Sequence, residues 1–352
     1  VINMIISEWK KSEEEKREIL DLSMKAFGEC ELTNPSYFDW EYQQNPNGDA
    51  VIITVKDEDK NNAIVGVNAF LPIKFIVNQR QVNCFLSCNS IIDPEYRGRG
   101  IFTQLVSKIP EIFSTKQFSI IYGVPNLNST KIFKKNQFLE ISKLPLLIKP
   151  LNLSSYFKFP LSKIMKPLDI FWKPRYSMTP NIETLDKLFT SEFDDLIKKS
   201  LNRLPIFHFR TKEFLQWRYM NHPTRNYQIL TLRNESKLIG YIITRKMEIF
   251  SKKVGVIVDF LIDPNYKQKN IFQKLIKNVM NNFWKNKISI VIATSKTGEL
   301  EKEILRKAGF FISPSFLKQE QLPLIVSNFN QNVNDFNNFE KWFFTLGDYD
   351  VF

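Results

Sequence analysis

The chain writes one strand–loop–helix unit twice, and only the first copy keeps its glycines. Residues 90–109 read SIIDPEYRGRGIFTQLVSKI and residues 260–279 read FLIDPNYKQKNIFQKLIKNV, with Arg97 and Lys267 lying 170 positions apart. In the first copy Ile92-Asp93-Pro94 closes an extended apolar run, and Tyr96-Arg97-Gly98-Arg99-Gly100 makes a tight basic loop. Ile101, Phe102, Leu105, Val106 and Ile109 then recur at helical spacing. A strand feeding a glycine-bearing turn that opens a helix is an anion seat. Glycine lets the backbone approach a ligand, and the first N–H groups of the helix point at it. The residues therefore point to a phosphate-bearing cofactor.

Tyr96-Arg97-Gly98-Arg99-Gly100-Ile101 resembles the acyl-CoA pyrophosphate loop of the GNAT (Gcn5-related) N-acetyltransferases, whose pattern is Arg/Gln-x-x-Gly-x-Gly/Ala. Arg97, Gly98, Arg99 and Gly100 match it in order, and Phe102 departs from it, standing where Gly or Ala is usual. The resemblance implies acetyl-CoA as co-substrate, held by the backbone of Arg97, Gly98, Arg99, Gly100, Ile101 and Phe102. It also implies that the strand Phe85–Ile92 splays from Ile120–Val124 to receive the acyl-pantetheine chain. The N–H groups near Ser90, Ile91 and Ile92 would polarise the thioester carbonyl, and Asn126 would contact pantetheine.

The duplication reaches beyond the loop. Tyr37-Phe38-Asp39-Trp40-Glu41-Tyr42 before Pro46 is echoed by Phe214-Leu215-Gln216-Trp217-Arg218-Tyr219 before Pro223. Phe118–Gly123 and Ile288–Ala293 read as matching buried strands, each before a helix that closes on Lys135-Asn136-Gln137-Phe138 or Lys307-Ala308-Gly309-Phe310. Three paired landmarks in one order indicate a tandem repeat. The pattern predicts helices over 10–27, 100–113, 127–135 and 270–285. It predicts strands over 52–55, 63–72, 74–77, 84–92, 118–124, 227–232, 238–246, 253–262 and 288–294, with a hairpin turn at 78–81. The expected class is α/β (α+β), two tandem GNAT-like domains, each a mixed, mainly antiparallel sheet flanked by helices. Residues 1–145 form the expected catalytic domain, 146–205 a connecting strap and 206–352 a degenerate copy. The strap carries Pro145, Pro150, Pro160, Pro167, Pro174 and Pro180 among aromatic residues, which excludes a long helix and argues against a solvated linker. It reads either as a strap packed across both domains or as a membrane-surface or acceptor-binding segment.

At 352 residues the chain is long enough for two cores. Its 43% hydrophobic content is that of a folded protein, and no apolar run approaches a membrane span, so stable membrane insertion is not expected. Residues 1–20 lack the basic-then-apolar order of a signal peptide, which makes the cytoplasm the expected location. Cys30, Cys84 and Cys88 are too few for a disulfide framework, and His208 and His222 are too few for histidine-rich metal chemistry, so no metal is expected. The net charge of +12 favours anionic partners, but no nucleic-acid reading motif occurs. Nothing in the sequence fixes an oligomeric state.

Amide formation from a thioester needs a deprotonated amine, a polarised carbonyl and alignment of the two. The tyrosine that often serves the family as acid is replaced by Phe133, with Leu305 at the matching place in the second copy, and Cys84 stands at the family's glutamate position. Tyr122 is then the nearest phenol, and Ser87, Asn89 and Ser90 could order a water. Asp93 and Glu95 are read as shaping the turn. The tail is acidic and aromatic, so Asp348, Asp350 or the terminal carboxylate of Phe352 could accept a proton or bind the acceptor, against the plainer reading of turn acids on an edge strand. Lys267-Gln268-Lys269-Asn270 has lost both glycines, which predicts that the second copy binds CoA weakly or not at all and shapes the acceptor pocket or braces the first. The expected reaction is acetyl transfer from acetyl-CoA to a small-molecule primary amine, with an amino sugar or nucleotide sugar preferred. The alternatives are an aminoacyl transferase of the peptidoglycan-bridge type and a non-catalytic CoA-binding module.

Overall fold

The computed structural model describes residues 3–114, 116, 120–157, 160–174, 181–249, 251–294, 299–313, 322–328 and 334–351. In chain order the first half gives β1 (Met4–Glu8), α1 (Glu13–Phe27), α2 (Pro35–Gln43), β2 (Val51–Asp57), β3 (Ala63–Val77), β4 (Arg80–Ile92), α3 (Ile101–Ser114), β5 (Ile120–Gly123), α4 (Leu127–Lys135), β6 (Leu139–Leu144) and β7 (Leu146–Pro150). There follow α5 (Leu161–Met165), β8 (Ile182–Thr184), α6 (Ser191–Lys199), β9 (Ile206–His208), α7 (Lys212–Leu215), β10 (Tyr227–Asn234), β11 (Lys237–Ile249), β12 (Lys252–Ile262), α8 (Gln268–Lys285), β13 (Ile290–Thr294), α9 (Glu299–Lys307), β14 (Phe311–Ile312), β15 (Leu322–Asn328) and β16 (Trp342–Phe343).

Local chemistry sets the boundaries. Ser12 caps α1 by accepting from the Glu15 amide, and Glu13, Glu14 and Glu15 place negative charge in the first turn, where the helix dipole favours it. Asn34 caps α2, with Pro35 at the first helical position. Asn78 and Gln79 both take left-handed φ (48° and 67°), so β3 and β4 close through a two-residue hairpin with Val77 opposite Arg80. The sequence predicts two strands over 63–77 divided near Pro72; the chain instead runs as one strand. Val51 opposite Phe70 is the last pair with β2, so the missing Pro72 N–H breaks no bond to that neighbour.

The chain divides into two units that are not contiguous stretches. The first comprises Val1–Lys143, Asn221–Arg225 and Leu322–Glu340, and the second Leu144–Met220, Asn226–Gln321 and Lys341–Phe352. The sheet of the first runs β1-β2-β3-β4-β5-β15-β6, and that of the second β14-β7-β13-β12-β11-β10-β8. Parallel pairing joins β4 to β5 and β12 to β13; β7–β13 and β5–β15 are antiparallel. Each sheet thus takes one strand from the other half of the chain. The class is α+β, two mixed sheets with flanking helices, as expected from the repeat.

In the first unit α3 buries Ile101, Leu105, Val106, Ile109 and Phe113 against Phe70, Phe85 and Ile121 of the sheet, and Phe133 of α4 joins the same core. In the second, α8 buries Ile271, Phe272, Leu275 and Phe283 in the matching place.

Candidate active site

Strands β4 and β5 keep register only from Cys84 opposite Ile120 to Ser87 opposite Gly123, while β4 runs on to Ile92. On its other side β4 pairs Cys88 with Ala69 and Ile91 with Val67, so Asn89 and Ser90 face the single residue Asn68. This is a β-bulge, and Asn89 takes φ 47° within it. A bulge bends its strand, and here it begins where β4 and β5 stop pairing. Beyond Ser87, β4 thus runs on without β5 beside it, and that strand edge could take an extended ligand through main-chain hydrogen bonds.

Helix α2 pins the bulge. The Asn89 amide donates to Glu41 Oε2 (2.8 Å) and to the Tyr42 hydroxyl oxygen (2.9 Å), and the Tyr37 hydroxyl donates to Glu41 Oε1 (3.0 Å). Glu41 is fully buried, and burial together with the neighbouring Glu41 charge pushes the Tyr42 phenol well above its ordinary range. Asn68 holds the strand from the other side, donating to the Cys88 carbonyl (2.9 Å). Ser90 is exposed on the bulge.

The loop that follows is open. Asp93 accepts from the Glu95 amide (2.9 Å), and Lys25 bonds both Asp93 (3.0 Å) and Glu95 (2.9 Å), so these acids shape and neutralise the turn. Gly98 and Gly100 both have φ 78°, the left-handed region that side chains resist, and a Cβ on either would point into empty space. Neither glycine amide donates to another described residue, and α3 begins at Ile101. Arg97 and Arg99 are exposed and pair with no carboxylate among the described residues. Arg97 Nε donates to the Ile92 carbonyl (3.3 Å), and Arg99 lies over the Tyr96 ring. Backbone donors, a helix start and two exposed cations therefore fall within one short open turn. Ile91 and Ile101 are buried beneath it, and Ile92 and Phe102 are half-buried against the same core.

The remaining candidates fall elsewhere. Tyr122 is fully buried, its ring set edge-on to Phe75 at 5.3 Å. Asn126 caps α4 by accepting from the Ser129 amide (2.9 Å), which leaves its amide nitrogen exposed as a donor. Cys84 is buried, and burial pushes its thiol well above the ordinary range, which makes it inert. His222 Nδ1 accepts from the amides of Thr224 and Arg225 (3.3 and 3.1 Å) and packs on Trp40, a structural role.

Both described acids of the tail are buried. Asp348 is 2% exposed, and both its oxygens bond Arg210 Nη2 at 2.8 Å. Its Oδ1 also meets His208 Nδ1 (3.2 Å), and its Oδ2 accepts from the Thr345 amide (2.8 Å). Arg210 holds this carboxylate below its ordinary range, so Asp348 is a poor proton acceptor near neutral pH. Asp350 is buried as well, and Phe352 lies outside the described residues.

Arg210 also donates through Nε to Asp259 Oδ2 (2.8 Å), which the Tyr219 hydroxyl meets at 3.3 Å. Asp259 stands 170 positions after Asn89, and Tyr219 echoes Tyr42. The second unit carries a related clamp: β12 shifts register beside Asp259, which stands in the place of Asn89 and bonds Tyr219 and Arg210, while Arg218, in the place of Glu41, donates to the Tyr349 carbonyl. The Trp-x-Tyr echo marked Glu41, Tyr42 and Tyr219 in the sequence without giving them a role, and no motif marked Arg210 or Asp259. At the loop the copies part. Helix α8 starts at Gln268, three positions before the match of α3, and none of residues 264–270 takes positive φ. Gly347 approaches Asp259 and the Tyr219 hydroxyl so closely that any Cβ would collide, so the turn at Leu346–Asp348 packs onto the bulge of β12.

Residues 10–136 match the family model for the acetyltransferase (GNAT) domain. No curated protein sequence matches the chain. Among solved structures the chain is similar to N-myristoyltransferase of Saccharomyces cerevisiae with bound myristoyl-CoA, at 11% identity and TM-score 0.66 over 92% of this chain and 82% of that one. A GCN5-related N-acetyltransferase from Anabaena variabilis aligns at 14% identity and TM-score 0.64, covering 93% and 73% of the two chains. A probable N-acyltransferase from Enterococcus faecalis aligns at 11% identity and TM-score 0.60, covering 92% and 72%. At such identities the structures establish the shared fold, and the family model establishes the domain.

Proposed function

We propose that this chain, whose residues 10–136 match the acetyltransferase (GNAT) domain, transfers an acetyl group from acetyl-CoA to a small primary amine. In this reading the amides of Gly98, Arg99, Gly100, Ile101 and Phe102 hold the pyrophosphate, with Arg97 and Arg99 adding positive charge. The pantetheine arm lies along β4 beyond Ser87, where Asn126 can donate to it. The thioester carbonyl then meets the main-chain N–H groups of Ser90, Ile91 and Ile92. The observation that carries the reading is the pair of left-handed glycines, with open space before them, at the end of a bulged and splayed strand.

The neutral amine attacks the carbonyl carbon, a C–N bond forms, the C–S bond breaks, and the amine proton leaves with solvent or a nearby base. A thiolate of pKa about 8.5 departs without a strong acid, which fits a buried Tyr122 and a phenylalanine at position 133. Glu41 is the one carboxylate bonded to Asn89 among the described residues, and the Tyr37–Glu41–Asn89 chain fixes the bulge against the acceptor. Asp348, tied to Arg210, takes no proton-transfer role in this reading, and Ser90 serves by ordering a water. The net charge of +12 favours an anionic acceptor, such as an amino sugar carried on a nucleotide.

Titration calorimetry with acetyl-CoA tests the reading. One site per chain is expected, lost by about tenfold or more in Gly98→Val and Gly100→Val, since a β-branched residue resists φ 78°. Two equal sites, or wild-type affinity in both variants, would refute it. Thiol release against a panel of amines then identifies the acceptor.

A further inference from the structure

The segment Leu161–Phe171 turns its apolar side chains outward. Leu161 is 49% exposed, Ile164 67%, Leu168 41%, Ile170 60% and Phe171 75%. Large exposed apolar residues scattered singly are ordinary, but five within eleven positions make a patch that calls for a partner. Lys163 and Lys166 are exposed between them, and Lys173 is exposed just beyond. The one carboxylate of the segment, Asp169, is buried and accepts from the Ser154 amide (2.9 Å) and the Ser154 hydroxyl. The outer face therefore presents lysines and hydrocarbon with no negative charge. The two turns that carry it, α5 and the 3-10 turn Lys166–Phe171, are anchored by Asp169 and by Trp172, whose ring lies under Lys149 Nζ at 5.8 Å.

We infer that this face docks on an anionic phospholipid surface. Protruding side chains such as Phe171 and Ile164 suit insertion at a headgroup boundary, while lysines keep their ammonium groups at the phosphates and lay their stems along the acyl boundary. Charge complementarity selects this occupant. A second copy of the chain would bring a like-charged face and a like net charge of +12 against it. The inference is independent of the acceptor and of the acyl group.

Sedimentation of the full chain with vesicles tests it at about 0.1 M salt, where the Debye length is still ~10 Å. The wild type should pellet with vesicles of equal parts phosphatidylglycerol and phosphatidylcholine, and about tenfold less with phosphatidylcholine alone. The double variant Ile164→Ser with Phe171→Ser should bind the anionic vesicles about tenfold more weakly, and so should Lys163→Glu with Lys166→Glu. All these side chains are exposed, so circular dichroism melting and gel filtration should match the wild type. Wild-type protein left in the supernatant overturns the proposal. So does a serine pair that pellets like the wild type, because then overall charge alone would account for binding. A dimer that the serine pair dissolves, or binding to poly-glutamate in place of vesicles, would assign the face to a protein and overturn it too.

Discussion

Arg210 makes two buried carboxylates tolerable, since its Nε serves Asp259 and its Nη2 serves Asp348. Arg210→Met would leave both acids in the core without a counter-charge, and a loss of about 3–5 kcal/mol in urea unfolding is expected. His208 adds a pH signature. Burial, chiefly, takes its imidazole down to about 4, from an ordinary 6.5. Between those values the unfolded chain binds a proton that the folded chain refuses, so this residue lowers stability as pH falls from 6.5 toward 4. Asp259 acts in the opposite sense: burial, with Asp348 beside it, raises it to about 6 from 3.8. The folded chain then holds a proton that the unfolded chain has released, and stability is gained as pH falls through that window. His208→Gln removes the first effect alone. Its unfolding free energy should improve relative to the wild type between pH 7 and pH 4.5; parallel pH curves would exclude His208 as the source. The sequence announced none of this, because Asp259, Arg210 and Asp348 meet only across separations of up to 138 positions, the shortest being 49 between Arg210 and Asp259, that the fold brings together.

Two helices built from one repeated phrase begin differently. α3 waits until Ile101 because Gly98 and Gly100 take left-handed turns, whereas α8 winds from Gln268 because nothing in Lys267-Gln268-Lys269-Asn270 breaks it. In the proposed reading the donor seat depends on the delay in the helix as much as on the glycines. Gln268→Gly with Asn270→Gly should therefore cost about 1 kcal/mol per glycine in the first turns of α8. It should leave one acetyl-CoA per chain by calorimetry; a second site would show that glycine alone suffices. This contrast was legible in the sequence, since φ preference is a local property. The bulge at Asn89 was not, because it is defined by the partner strand and by the side chains of α2.

At the scale of the molecule, the repeat is completed by exchange. β15 pairs with β5 through Tyr122 opposite Val326, and β7 pairs with β13 through Ile148 opposite Ile292. Residues 1–145 expressed alone lack β15 beside β5 and should expose that edge, giving aggregation in gel filtration, while co-expression with 146–352 should restore a folded, acetyl-CoA-binding complex. A monomeric, cooperatively melting 1–145 fragment would contradict this. No helix among the described residues is long and apolar enough to cross a membrane, so a membrane role would rest on the surface patch of the strap. The sequence by itself determined the repeat, the order of strands and helices, and which copy keeps the loop. Each of these follows from side-chain period and from backbone freedom within a few residues. Tertiary structure alone decided which strand completes which sheet, that Asp348 is buried against Arg210, and which side chains clamp the bulge. Those outcomes depend on pairing and desolvation between residues far apart in the chain, and no local pattern encodes them.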